Sequence, residues 1–222
     1  MKRYTAFIFD LDGVLVDTAK YHYLAWSRLA GQLGFGLDPA DNERLKGVSR
    51  LASLDIVLSI GGIVVSDDEK ARLAARKNDW YNEYLASMDE SEILPGALRF
   101  LEASRSLGLA TAVASASKNA MTILRSTGLL SHLDAVADGN LVARAKPAPD
   151  VFLAAAELLG AAPAACVVFE DAAAGVQGAR AAGMASVGIG SEKTLGAADL
   201  VLPGFVDLDP QRLLGLLPAR GG

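Results

Sequence analysis

The apolar run Phe7-Ile8-Phe9 breaks off into Asp10-Leu11-Asp12-Gly13, followed by Val14-Leu15-Val16-Asp17-Thr18. A strand-type run that ends in two carboxylates spaced i, i+2 delivers both acids to one side of its C-terminal edge. In open α/β sheets that edge is where ligands bind. An aspartate so placed can attack a phosphorus centre and form an acyl phosphate. A second aspartate two residues on can give a proton to the leaving oxygen and later take one back. Thr18 is spaced to hydrogen-bond that second acid. On local grounds a solvated turn explains Asp-x-Asp-Gly equally well, so the rest of the chain has to decide.

Its 222 residues suffice for one large domain, or for a core carrying a smaller insertion. Half of them are hydrophobic, which argues against disorder. The balance of 21 basic against 26 acidic residues contains no basic run to follow a nucleic-acid backbone or an anionic membrane, so neither is an expected partner. Asp10 and Asp12 interrupt the N-terminal apolar segment too early for a signal-peptide core, and no later run reaches spanning length. The expectation is a soluble, cytoplasmic monomer. The single cysteine, Cys166, lies in the strand-like Ala165-Cys166-Val167-Val168-Phe169 and reads as a small core residue rather than a nucleophile.

Helical periodicity follows the first strand from Thr18 to about Gly34, again over 50–60, and then from the capping-box sequence Ser66-Asp67-Asp68-Glu69 to about Met88. Residues 18–90 therefore predict a helical cap, joined by two hinges to an α/β core formed by 1–17 and 91–222. Such a cap can close over a site and exclude water. From Pro95 helices and strands alternate, with strands predicted at 110–114, 133–137, 165–169, 186–189 and 199–202. Intervening helices run to 107, 127, 159 and 182, and each is followed by a glycine. The alternation predicts a Rossmann-like parallel sheet with helices on both faces.

The strand ends are polar. Ser115-Ala116-Ser117-Lys118-Asn119 offers hydroxyls and backbone amides at a helix start, which suits phosphate, although an ordinary serine N-cap needs only one hydroxyl. Lys146 precedes Pro147-Ala148-Pro149 and is suited to hold a point charge between a phosphoryl group and its nucleophile. A solvated loop lysine is the plainer reading. Glu170-Asp171, which would serve equally well as an acidic helix N-cap, joins Asp10 and the backbone carbonyl of Asp12 in an all-oxygen set of the kind Mg²⁺ prefers.

With these four motifs in this order, the chain resembles the haloacid dehalogenase superfamily of phosphotransferases over essentially its whole length. The resemblance implies Asp10 as nucleophile, Asp12 as acid/base, Ser115 and Lys146 as phosphate contacts, and Glu170 and Asp171 as the metal side. Asp17-Thr18-Ala19-x-Tyr21-His22, Lys46-Gly47-Val48-Ser49-Arg50 and Ser115 to Asn119 narrow it to the sugar phosphomutases of that superfamily. That branch implies interconversion of β-glucose 1-phosphate and glucose 6-phosphate through an aspartyl phosphate and the 1,6-bisphosphate. It also implies that Arg50, Ser117, Lys118 and Asn119 hold the phosphate not being transferred, and that Lys46 and Gly47, Val48 and Ser49 approach the sugar. His22 would lie near Asp12 and link cap closure to its protonation. The rivals are a sugar-phosphate phosphatase of the same superfamily and a non-catalytic sensor of sugar phosphates. One departure is Ala172-Ala173 after Glu170-Asp171, where relatives often place a hydroxyl residue.

Overall fold

The computed structural model describes residues 4–45 and 49–218. In chain order the strands are β1 (Ala6–Phe9), β2 (Ala110–Ala114), β3 (Ala135–Ala137), β4 (Cys166–Glu170), β5 (Ala185–Ile189) and β6 (Leu200–Leu202). Among the described residues the α-helices are α1 (Ala19–Gln32), α2 (Pro39–Asn42), α3 (Arg50–Ile60), α4 (Asp67–Leu85), α5 (Ala97–Ser106), α6 (Ala120–Ser126), α7 (Asp150–Leu158), α8 (Ala173–Ala181), α9 (Glu192–Leu195) and α10 (Pro210–Leu216).

The six strands form one parallel sheet in the order β3-β2-β1-β4-β5-β6. The period-two alternation of β1 divides the core in two. Phe7 and Phe9 face one side, where they pack with Phe100, Phe169 and Phe205. Ala6 and Ile8 face the other, among Ala112, Ala114, Val168 and Phe152. Small residues on this second face let α7 and α8 approach the sheet closely, and the five phenylalanines fill the wider gap beneath α5 and α10. Chain order reverses across β1, which has β2 on one flank and β4 on the other. The polypeptide departs in opposite directions there and leaves a crevice at the C-terminal edge.

Between β1 and α5 the chain is helical, with α1 packed on α4 and α4 on α3. Two crossings tie this insertion to the sheet. Leu94 N–H donates to the Leu15 carbonyl, Asp17 N–H donates to the Glu92 carbonyl, and Val16 pairs with Ile93. Glu92 also accepts from the Tyr21 hydroxyl at 2.6 Å and the Lys20 ammonium at 2.7 Å, binding the start of α1 to the second crossing.

Several boundaries differ from the sequence reading, each for a local reason. α4 ends at Leu85 rather than near Met88, because the next turn tightens into i→i−3 bonds from Ser87 and Met88. β3 begins at Ala135 rather than at 133, since the Asp134 carboxylate takes the Thr111 N–H. α7 starts at Asp150, after Pro149, because a residue before proline is steered away from helical backbone. β4 includes Glu170, so this acid leaves from a strand and not from a helix cap. α10 had no counterpart in the sequence reading. Its N-cap, Asp209, accepts from Arg212 N–H at 2.7 Å, and Pro210 occupies the first helical position.

Candidate active site

The C-terminal ends of β1, β2 and β4 and the loop after β3 converge on a cavity of about 570 Å³, roofed by α1, α3 and α4. Its floor is Asp10, Asp12, Lys146 and Asp171. Ala116, Ser117, Lys118 and Asn119 form one wall, and Ser49, Arg50, Lys77 and Tyr81 face them from the helical side.

Asp10 continues β1, with its N–H donating to the Phe169 carbonyl, and is 7% exposed. The Lys146 ammonium donates to its carboxylate at 2.5 Å and to that of Glu170 as well. Lys146 is buried. Burial opposes its charge, but the two carboxylates outweigh that effect and raise its pKa, so the lysine keeps its proton. Burial also pushes the Glu170 carboxyl up. Lys146 opposes this shift, and Asp10 adds to it. Glu170 accepts in addition from Ala172 N–H at 3.0 Å. Lys146, for which a solvated loop position was the plainer sequence reading, is thus the buried counter-ion of Asp10.

Oxygens of Asp10, Glu170 and Asp171 lie within 4.8 Å of one another. Three carboxylates so close offer only hard oxygen donors, which fits a divalent cation. Gly13 preserves this arrangement. It has φ +82°, and a Cβ there would fall 2.2 Å from Asp171 Oδ2. Gly175 does the same beneath Glu170, where a Cβ would come within 1.9 Å of the carboxyl carbon.

Asp12 stands apart from that cluster. The Thr18 hydroxyl donates to its carboxylate, the contact anticipated from the spacing. Desolvation under the helical roof, and then the charge of Asp10, push the Asp12 carboxyl up to about 6, against the Thr18 bond, Lys146 and Lys77. An acid that releases its proton near neutrality is matched to proton transfer in both directions. The sign for stability follows directly. Between the ordinary value of 3.8 and about 6 the folded protein holds a proton that the unfolded chain has lost, so stability falls as pH rises through that window. In metal-free protein, denaturant unfolding is expected to show this fall between pH 4 and 6, and Asp12→Asn should flatten it. An unchanged slope in the variant would mean that Asp12 has an ordinary acidity.

Ser115 is buried below the cavity wall and accepts from Ser117 N–H at 3.0 Å. Ser117 accepts in turn from Asn119 N–H at 3.2 Å. These two turns hold Ser117, Lys118 and Asn119 along the cavity ahead of α6. Asn119 also donates to Asn78 Oδ1 at 3.0 Å, a direct bond from the sheet side to α4. Across the cavity Arg50 opens α3, whose N-cap Ser49 accepts from Ala52 N–H. Arg50 makes no ion pair among the described residues. Lys46, Gly47 and Val48 lie outside the described residues.

His22 faces the cavity, but its Nδ1 meets the Lys77 ammonium at 2.9 Å and not Asp12. Burial, reinforced by Lys77 and Arg50, holds its pKa well below the usual histidine range, so it is the neutral acceptor. Lys77 is 2% exposed, with its ammonium 4.7 Å from the Trp26 ring centroid and 4.5 Å from that of Tyr81. Burial and Arg50 bring its pKa down to about 7, while Asp12 acts to raise it. The sequence reading did not single out Lys77, Asn78 or Tyr81. The signal was that Lys77 shares its helix face with Leu73, Trp80 and Tyr81, a charge inside an apolar stripe. Trp26, set aside as a core aromatic, is buried and also borders the cavity. Cys166 is buried with its thiol pushed up to about 11, as an inert core residue should be, and His132 lies 3.8 Å from Glu102, away from the site.

Known proteins share this arrangement of chain and sheet. The model of haloacid dehalogenase-like hydrolases matches residues 4–183. The β-phosphoglucomutase of Bacillus subtilis is 41% identical over 205 residues, 91% of each chain. The crystal structure of β-phosphoglucomutase from Clostridium difficile superposes with a TM-score of 0.91 at 39% identity, covering 96% of both chains. A fructose-1-phosphate phosphatase of Escherichia coli is 33% identical over 188 residues, 85% of this chain and 97% of its own. With its fold, its chain order and nearly its whole length in common with these enzymes, the protein belongs to the haloacid dehalogenase-like hydrolase family.

Proposed function

We propose that this chain is a β-phosphoglucomutase, interconverting β-D-glucose 1-phosphate and D-glucose 6-phosphate. Residues 18–90 act as a cap over a core made of 1–17 and 91–222. The observation that supports the reading is one cavity lined both by Asp10 with its partner Lys146 and, from facing sides, by Arg50 and by Ser117, Lys118 and Asn119, so groups suited to phosphate are present for more than the one phosphate being transferred. A phosphatase needs to grip only the phosphate it cleaves. The 41% identity to the B. subtilis β-phosphoglucomutase supports the same conclusion.

In the proposed cycle Asp10 carries a phosphoryl group as an acyl phosphate. A sugar hydroxyl attacks the phosphorus and Asp12 takes its proton, while the bond from phosphorus to the Asp10 oxygen breaks and leaves a hexose bisphosphate. After reorientation the Asp10 carboxylate attacks the other phosphate, the phosphorus–sugar oxygen bond breaks, and Asp12 returns its proton to the leaving sugar oxygen. Lys146 stays protonated throughout and offsets charge on Asp10 and the phosphoryl oxygens. Asp10, Asp171 and the Asp12 carbonyl, with Glu170 beside them, would hold Mg²⁺, which when bound supplies positive charge between the Asp10 carboxylate and the phosphate. Thr18 holds Asp12 in place, and Lys77 fixes the neutral His22 beside the cavity. Lys46, Gly47, Val48 and Ser49 complete the sugar end in this proposal. The protein acts alone on a small sugar phosphate, as a cytoplasmic monomer. Among the described residues no helix is long and apolar enough to cross a membrane.

Arg50 provides the test, because its planar guanidinium binds phosphate oxygens bidentately. Arg50→Ala is expected to lower kcat/KM for β-glucose 1-phosphate by about 10²-fold, and far less for hydrolysis of acetyl phosphate, which has no second phosphate. Equal losses on both substrates would remove the distal-phosphate role. Intact isomerisation would return Arg50 to an exposed helix start.

A further inference from the structure

Thr18 gives its hydroxyl proton to Asp12, and this leaves the start of α1 without the cap a threonine there would ordinarily supply. The Thr18 side chain makes no capping hydrogen bond to the helix, and the first turn holds no acidic residue. A helix start in that condition needs another restraint if Thr18 is to stay where Asp12 requires it. The restraint comes from the second crossing between the helical insertion and the sheet.

Glu92 meets the chain on both sides of Thr18. Its carbonyl accepts from Asp17 N–H at 2.9 Å, and its carboxylate accepts from the Tyr21 hydroxyl at 2.6 Å and the Lys20 ammonium at 2.7 Å. Tyr21 and His22 in turn donate their N–H groups to the Thr18 carbonyl at 3.0 and 3.1 Å. Residues 17, 20 and 21 are thus held by one glutamate, with the fully buried Thr18 between them. The two carboxylate partners do not weigh equally. The Lys20 side chain is half-exposed, so water and salt screen its ion pair. The Tyr21 bond is buried and charge-assisted, which makes it the stronger tether. Burial opposes the charge of Glu92, but the bonds from Lys20 and Tyr21 outweigh it and hold the carboxyl below the usual glutamate range.

We infer that Glu92, acting through Tyr21, is a positioning residue for the acid/base: it fixes the first turn of α1 so that the Thr18 hydroxyl stays on the Asp12 carboxylate. Neither Glu92 nor Tyr21 borders the cavity, so an effect of either on the reaction has to pass through these contacts. The inference rests on the role of Asp12 in the proposed cycle and not on which sugar is bound. A mere fastener of the two crossings would stabilise the fold and leave proton transfer untouched.

Tyr21→Phe removes the buried tether and keeps the ring. With Mg²⁺ and a trace of β-glucose 1,6-bisphosphate, kcat for isomerisation of β-glucose 1-phosphate should fall by about 10-fold with KM little changed, as expected for one charge-assisted hydrogen bond felt in the transition state. Phosphorylation of Asp10 by acetyl phosphate, whose leaving group needs no acid, should keep its wild-type rate. In a Thr18→Val background Tyr21→Phe should lower kcat no further, because the contact it supports is already gone. Lys20→Met, which removes only the screened pair, should lower kcat by about 3-fold or less. Unchanged kcat in Tyr21→Phe, whatever its unfolding midpoint, would overturn the inference and leave Glu92 a fastener. An equal loss with acetyl phosphate, or a full further loss in the Thr18→Val background, would overturn it by showing an effect that bypasses Asp12. Should Tyr21→Phe fail to fold, Glu92→Gln, which keeps the size and one acceptor oxygen, is judged by the same readouts. If wild type releases inorganic phosphate instead of isomerising, the mutase reading falls, and the same comparison made on that hydrolysis, which also needs Asp12, still decides the role of Glu92.

Discussion

Asp10→Asn is expected to abolish the phosphoenzyme and to lower turnover by on the order of 10⁴-fold or more, since an amide is a poor nucleophile and no neighbouring group can replace it. Asp12 stands next in line, but its carboxyl is engaged by Thr18 and turned to a different task. The fold should survive the exchange, because Lys146 retains Glu170 as a partner. Mass spectrometry after brief exposure to acetyl phosphate would find the wild type phosphorylated at Asp10 and the variant unmodified. A phosphoryl group trapped on any other residue would overturn the assignment. Asp12→Asn gives the contrasting outcome: phosphorylation of Asp10 by a substrate with a good leaving group should persist, while transfer to a sugar hydroxyl, which needs a base, should be slow.

Lys146→Ala is expected to damage both stability and catalysis. The ammonium lies between the carboxylates of Asp10 and Glu170 with all three side chains buried, so its removal leaves two like charges in a poorly solvated crevice. Breaking such a buried pair costs about 3–5 kcal/mol. The loss should shrink as pH falls, because a protonated Glu170 no longer needs a counter-charge. Turnover should drop by about 10²-fold or more, as it does when a preorganised charge at a phosphoryl group is removed. Lys146→Met, which keeps much of the volume, separates the two effects: a variant that stays folded but slow supports the electrostatic role. Near-normal turnover in either variant would place Lys146 outside the reaction.

The groups on the sheet edge were legible in the sequence because each follows an apolar strand with an abrupt change to polar residues: Asp10 after Phe9, Ser115 after Ala114, Glu170 after Phe169. A parallel sheet aligns those changes at one edge, so chain order alone brought Asp10, Lys146 and Asp171 together. The helical roof was harder to read. In a helix, side chains three or four apart share a face, so Lys77 beside Trp80 and Tyr81 looks like one more solvated cation next to core aromatics. Its place inside an apolar stripe hints at burial, and the packing of α1 against α4 shows what it is buried over, the ring of His22. Asn78 was hidden for the same reason, since its partner Asn119 is 41 residues away on another element. Gly13 and Gly175 carried no warning of their second task, which is to leave room for the carboxylates of Asp171 and Glu170.

The proposed mutase differs from a phosphatase in the fate of the phosphoryl group on Asp10, and phosphorus NMR follows that fate directly. With wild-type protein, Mg²⁺, β-glucose 1-phosphate and a trace of β-glucose 1,6-bisphosphate, the signal of the 1-phosphate should pass into that of glucose 6-phosphate while inorganic phosphate stays near its starting level. Inorganic phosphate rising in step with loss of the 1-phosphate would contradict the account and make the protein a sugar-phosphate phosphatase.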